Sequence, residues 1–412
     1  MERVILSNKY IDELRTLPEI RLSTKEAVCD RHLGWYSTVD VIKQSNLHAD
    51  VCRVQLTQNM GYIVPGMVSE IEDSLSRLLP FSEEIPNGSH ETPSWSMLLI
   101  VANKSISRAL VGPDLCRDAS WLEASLGYAT NVFAISQALR DRAHILRPFL
   151  WWRLEARSLV RRYRQRAKEL LEPLIEERQR SKGQQKDVLQ WMVDSAEGQD
   201  RTTTRISQKM LMVCLAGISS NTMAVLNALL DLCAMPQYFE PLREEIKQEL
   251  GTGGEWELSA LHRMQKLDSF LKEKMAKDAA YYAEPDKFHP FRFYDLRRDA
   301  ERTLNATASP SGKDQSQDSK CDTLSTAKNA NRYQFSSTSA TSLPFGYGKS
   351  ACPGRFFATV HIKLMFAFLI SNYDISFPKG VTERPENVFV DERSWPSRSI
   401  ALCFKARRNG KN

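Results

Sequence analysis

The stretch Phe345-Gly346-Tyr347-Gly348-Lys349-Ser350-Ala351-Cys352-Pro353-Gly354-Arg355 governs the reading of the whole chain. Gly346 and Gly348 permit tight turns that residues with a side chain resist. Pro353 suits the first position of a following helix. Cys352 therefore stands at a helix N-terminus, where the positive dipole end and free N–H groups favour a thiolate. A thiolate cradled by backbone N–H donors is a sound iron ligand. A rival reading takes Gly348-Lys349-Ser350 as the end of a phosphate-binding loop. That motif needs a glycine at position 343, and Leu343 is there.

Working outward, the chain has 412 residues, 42% of them hydrophobic, enough for a large core. Its net charge is +6, with Lys and Arg scattered among Asp and Glu. A nucleic-acid binder would concentrate that charge in a stripe, so nucleic acid is not an expected partner. The eight cysteines are dispersed and none forms a C-x-x-C pair. This argues against a disulfide scaffold or a four-thiolate zinc site, and fits a reducing compartment. The first eighteen residues, MERVILSNKYIDELRTLP, carry charges every few positions and read as neither signal peptide nor anchor. The apolar runs at 210–218 and 364–370 are too short to span a bilayer.

Periodicity predicts helices over residues 54–79, 121–139, 154–178, 206–233 and 238–250. The fourth is apolar almost all round and so belongs in the core; Pro236 stops it. An apolar helix follows Arg355 to about residue 371. Short alternating segments at 373–377, 388–390 and 400–404 predict a small β region around a turn at Trp395-Pro396. Residues 300–340 are rich in Ser, Thr, Asn, Asp and Lys and predict a disordered insertion.

The glycines, cysteine, proline and arginine of residues 345–355 together resemble the haem-binding loop of the cytochromes P-450, matching at every defining position. The wider chain, from about residue 4 to 407, resembles fungal members that oxidise diterpenes and indole-diterpenes in secondary metabolism. The resemblance implies a mainly α fold with a small β region, as one domain over residues 1–412, with the haem-binding loop and its helix at 341–372. It implies a haem-dependent monooxygenase that oxidises an apolar, terpenoid-like product. Haem b would be held by the Cys352 thiolate, with Phe345, Gly346, Lys349 and Arg355 around it, Lys349 and Arg355 facing the haem carboxylates. O2 would be co-substrate and an NADPH-cytochrome reductase the electron donor. Ala216-Gly217-Ile218-Ser219-Ser220-Asn221-Thr222 matches the oxygen-side helix of the family. There Ser220 falls at the proton-relaying alcohol and Ser219 at the acid position, and both are expected to assist proton delivery. Trp395-Pro396 falls where the family's C-terminal turn reaches the substrate, and Arg53 where its helices approach a haem propionate.

The sequence departs from the family pattern in ways that carry their own expectations. The membrane anchor and first sheet segment are not found, so a family bound to the endoplasmic reticulum would be represented by a cytoplasmic or peripheral chain. The family's Glu-x-x-Arg motif begins at Glu273, but its arginine position holds Ala276. A block supplying part of the inner sheet is expected to be missing near Lys274. Glu273 and Arg292 would then lack their partner, and an unpaired buried charge costs about 3–5 kcal/mol. The alternative reading is a catalytically inactive, haem-binding or haem-free remnant.

Overall fold

The computed structural model describes residues 4, 6–80, 89–181, 183, 185–251, 253–273, 284, 287–308, 333–390 and 393–407. Its main helices are α1 (Thr24–His32), α2 (Met60–Leu78), α3 (Ser94–Leu115), α4 (Ala119–Arg140), α5 (Glu155–Arg180), α6 (Thr203–Ala234), α7 (Phe239–Leu250), α8 (Gln265–Glu273), α9 (Arg292–Ala308) and α10 (Arg355–Asn372). Mainly helical with two small sheets, the fold has the class that the sequence predicts.

α6 is the axis of the molecule. It packs on α3, α4, α5 and α10. Its apolar residues face in every direction because it has neighbours in every direction. Its most apolar 18-residue window has a mean hydropathy of 1.6, enough for a membrane span by length and composition, yet 61% of that window is buried against protein. The packing makes it a core helix. α5 shows the opposite pattern: Val160, Ala167, Leu171 and Ile175 recur on one face and are buried, while Arg and Glu fill the rest. α4 lies so close to α5 that a Cβ on Gly127 would stand 2.4 Å from the Tyr163 ring.

The helix expected over 54–79 begins later. Leu47–Val51 is helical, Cys52–Leu56 widens to a π turn, and α2 starts at Met60. Polar side chains explain the break. The Thr57 hydroxyl donates to the Cys52 carbonyl and the Asn59 amide to the Gln55 carbonyl, taking acceptors a regular helix would use.

The larger sheet is antiparallel, in the order β1 (Ser89–Pro93), β5 (Ala401–Ala406), β2 (Tyr373–Ser376). Thr92 pairs with Leu402 and Ile375 with Phe404, which turns Leu402 and Phe404 into the core. The smaller sheet pairs β3 (Val388–Val390) with β4 (Arg393–Trp395). β1 and β4 were not expected. Trp395 ends a strand opposite Val388, and the chain turns after it.

The disordered insertion predicted over 300–340 needs correction at both ends. α9 carries the helix to Ala308. Residues 333–336 pack inward, with Phe335 buried against the Phe345 ring at 5.5 Å. Buried ion pairs, described below, anchor both ends. The middle of that prediction, 309–332, lies outside the described residues, as does Ala276.

Candidate active site

The cysteine loop is built by its own backbone. Gly346 sits at φ +70°, and a Cβ there would meet the Ser350 carbonyl oxygen at 2.6 Å, so this position requires glycine. The Gly346 N–H donates to the Leu343 carbonyl at 2.8 Å, and the Cys352 N–H donates to the Phe345 carbonyl at 2.7 Å. Gly348–Ser350 forms a short 3-10 turn, from which Lys349 points to solvent. The Arg355 guanidinium donates to the Cys352 carbonyl at 3.2 Å and lies 4.3 Å over the Phe356 ring.

Cys352 is half-buried just ahead of α10. Burial pushes its thiol up from the ordinary cysteine value; the Gly354 N–H and the Arg355 charge pull it down. With only protein around it the proton is held. A positive metal replacing that proton would find a sulfur already met by an N–H donor and a cation. The donor set also limits the kind of metal. No group of three or more His, Cys, Asp or Glu able to hold an ion exists among the described residues. A lone thiolate suits an iron whose in-plane ligands come from a tetrapyrrole, so the residues present fit haem.

On α6, Ser220 and the buried Ser219 lie side by side. The Ser220 hydroxyl donates to the Ala216 carbonyl at 2.6 Å, with Gly217 O at 3.3 Å. Both serines line a cavity of about 440 Å³, otherwise walled mainly by apolar groups such as Phe133, Met212, Leu215 and Met223. A second cavity of about 230 Å³ shares His32, Phe133, Ser219 and Trp395 with the first. The structure thus brings Ser219, Ser220 and Trp395 to one wall. It groups Phe345, Gly346, Lys349, Cys352 and Arg355 in the loop, and neither cavity lining includes Cys352. Arg53 is exposed and paired with Asp50 at 2.9 Å, as a surface arginine would be.

One further residue, missed in the sequence, joins the two groups. His361 on α10 is fully buried. Its Nδ1 lies 2.9 Å from the Asn221 side-chain amide on α6, and its Nε2 2.8 Å from Ser105 Oγ on α3. The Ser105 hydroxyl donates to the Val101 carbonyl at 2.7 Å, so it accepts from His361 Nε2–H. The Asn221 amide then donates to Nδ1. The tautomer is fixed, and burial lowers the His361 pKa to about 3. The signal in the sequence was a histidine inside the apolar run of α10.

Behind the loop, Asp268 on α8 gathers a buried triad. It accepts from Arg297 of α9 at 2.8 Å, from Lys363 of α10 at 3.2 Å, and from the Phe335 N–H at 2.8 Å. Lys272 donates to the Gln334 carbonyl at 2.7 Å. The expected orphaning of Glu273 and Arg292 is overturned. Arg292 Nε donates to Glu273 Oε1 at 3.0 Å, and the His289 N–H reaches the same oxygen at 3.0 Å. The two residues partner each other directly, so no unpaired charge is left there.

The family profile described as cytochrome P-450 matches residues 123–275 and 274–404. The two segments meet where the missing block was expected. A cytochrome P-450 monooxygenase of Penicillium canescens is 33% identical, over 98% of this chain and 79% of its own length. An ent-kaurene oxidase of Gibberella fujikuroi is 30% identical, over 98% of this chain and 83% of its own. The monooxygenase AtmP of Aspergillus flavus is 31% identical, over 99% and 81%. Among solved structures, a cyanobacterial protein, CYP120A1, with retinoic acid bound, matches with a TM-score of 0.58 at 17% identity, covering 85% of this chain and 76% of that one.

Proposed function

Since the chain belongs to the cytochrome P-450 family of haem-dependent monooxygenases, we propose that it oxidises an apolar, terpenoid-like natural product, with Cys352 as the thiolate ligand of haem b. Its relatives are fungal monooxygenases of secondary metabolism, and one group of them is named for ent-kaurene, a polycyclic hydrocarbon. O2 is the co-substrate, and an NADPH-cytochrome reductase the electron donor. The observation that carries the reading is the apolar cavity over Ser220, on the helix that His361 ties to the cysteine helix.

Haem held by the Cys352 thiolate would supply the oxygen-activating iron chemistry. The protein's own part is to hold, exclude and deliver. Phe133, Met212, Leu215 and Met223 receive an apolar body and displace water. Ser220 keeps its proton on the Ala216 carbonyl, one rotation of the hydroxyl away from the cavity. Ser219, at the neighbouring position, replaces the usual acid with a second alcohol, so proton delivery runs through hydroxyls. Reduction under carbon monoxide tests the reading. A red-shifted thiolate-type Soret band is expected from the haem-loaded chain and lost in Cys352→Ala. Its absence in the wild type identifies a haem-free remnant.

The surface supports a peripheral membrane location. Ile145, Leu146, Phe149 and Trp152 are 77%, 51%, 71% and 68% exposed on one short segment. Arg142 and Arg153 stand at either end of the segment, while the Arg147 guanidinium is turned to the Leu139, Arg140 and Arg142 carbonyls. Exposed apolar side chains with arginines at both ends suit an anionic bilayer surface. Co-flotation with phosphatidylserine vesicles, reduced in a Phe149→Ser/Trp152→Ser variant, is the expected result.

A further inference from the structure

The two cavities differ in chemistry. The larger is apolar and lies over Ser220. The smaller carries His32, Gln137, Arg140 and Arg398, and the lining of neither holds an aspartate or glutamate. Arg398 is the unusual member. Its guanidinium sits 4.6 Å from the Trp95 ring centre and 4.5 Å from that of Trp395. The two indoles meet edge to face at 6.1 Å. The two rings stand at about a right angle around the guanidinium and leave its remaining N–H groups as the place where a ligand can bind.

The buried cations behind the cysteine loop each have a carboxylate: Lys363 and Arg297 share Asp268, and Arg292 has Glu273. Arg398, exposed at the cavity rim, has no carboxylate partner among the described residues, and partial burial of its guanidinium lowers its pKa. A cation held partly out of water by aromatic rings, at the end of a substrate cavity, selects for an anion.

We infer that the substrate is amphipathic: an apolar isoprenoid or polycyclic body against α6, ending in a carboxylate held by Arg398 beside Trp95 and Trp395. The inference rests on the oxidase reading and names the substrate class for it. Trp395 belongs to both cavities, so a single molecule passing along it would have its anionic end at Arg398 and its apolar end toward Ser220. Arg398 fixes which end of the molecule faces the oxygen side.

Titration calorimetry of the haem-loaded protein with abietic acid and with methyl abietate tests this, with the Soret band followed in parallel. The acid is expected to bind roughly tenfold to hundredfold tighter than the ester, the range for a charge-assisted pair. Arg398→Gln should bring the two affinities within about threefold without weakening the ester, and Arg398→Lys should keep part of the preference. Equal affinities, no binding of the acid, or a preference that survives Arg398→Gln overturns the inference. The Soret arm separates the two readings. A calorimetric preference for the acid without any Soret shift breaks the oxidase reading and leaves the anion site standing. Soret shifts of equal size with acid and ester do the reverse.

Discussion

The two flanks of the cysteine loop are held by opposite chemistry. Upstream, residues 333–336 are pinned to α8 and α9 by buried charges: Asp268 with Arg297 and Lys363, and Lys272 on a backbone carbonyl. Downstream, α10 lends Lys363 to that triad but is otherwise largely apolar, and it joins α6 and α3 through one uncharged imidazole. The difference follows from supply. Where an anion is present, cations can leave water, because each stranded charge finds a partner. Around His361 there is no carboxylate among the described residues, and burial acts on the ring and keeps it neutral. The charged flank is strong only while complete; the neutral flank is strong only while unprotonated.

Removing the anion is the harshest way to break the comparison. Asp268→Ala would leave Arg297 and Lys363 buried without their carboxylate and the Phe335 N–H without an acceptor. A loss of about 3–5 kcal/mol is expected in urea unfolding. A loss below about 1 kcal/mol would show that the triad is not what holds the upstream flank.

Acid should break the neutral flank instead. With a folded pKa near 3 and an unfolded value near 6.5, the unfolded chain binds the His361 proton first, so stability falls as pH falls between those values. From pH 6.5 to pH 4.5 this one site accounts for a loss of about 2–3 kcal/mol. His361→Gln, which can still meet both Asn221 and Ser105, should flatten the slope by that amount. An unchanged pH profile would remove His361 as its cause.

A milder change sharpens the contrast. Glu273→Gln keeps the shape but removes the charge that meets Arg292 and the His289 N–H. The expected cost is about 1.5–3 kcal/mol, the range for a hydrogen bond to a charged group. A neutral result would mean that Arg292, which also donates to the Glu284 and Lys287 carbonyls, is satisfied without Glu273.

How much of this was legible in the sequence depended on distance along the chain. The loop could be read because its turn glycines, proline and cysteine act on one another within a few residues. α5 could be read because one side chain in every few announces the buried face, and α6 because it is apolar almost all round. β1 could not. Ser89–Pro93 has no strand pattern, and it is a strand because Ala401–Ala406, far away in sequence, offers its edge. The Glu273–Arg292 pairing was misread for the same reason. The motif suggested a missing partner, but partners are chosen in space, and Arg292 comes round to the carboxylate itself. Residues 333–336 looked too polar to pack, yet one phenylalanine and one backbone N–H to Asp268 suffice to order them.

The smallest expected effect on stability falls where function is read. Ser220→Ala removes a hydroxyl whose partners among the described residues are carbonyls of its own helix, Ala216 and Gly217, which the helix ladder already engages. Side chains of this kind that bond back to the preceding turn add little to a helix, so unfolding should shift by no more than about 0.5 kcal/mol. The flanks of the loop would be untouched, and the thiolate-type Soret band should remain. If the hydroxyl moves protons at the cavity wall, product formed per electron consumed should fall by a factor on the order of 10² with substrate affinity unchanged. Ser220→Thr, which restores the alcohol, should recover it. Full coupling in Ser220→Ala would assign the relay to Ser219, the other alcohol in the same wall, and Ser219→Ala would then carry the loss.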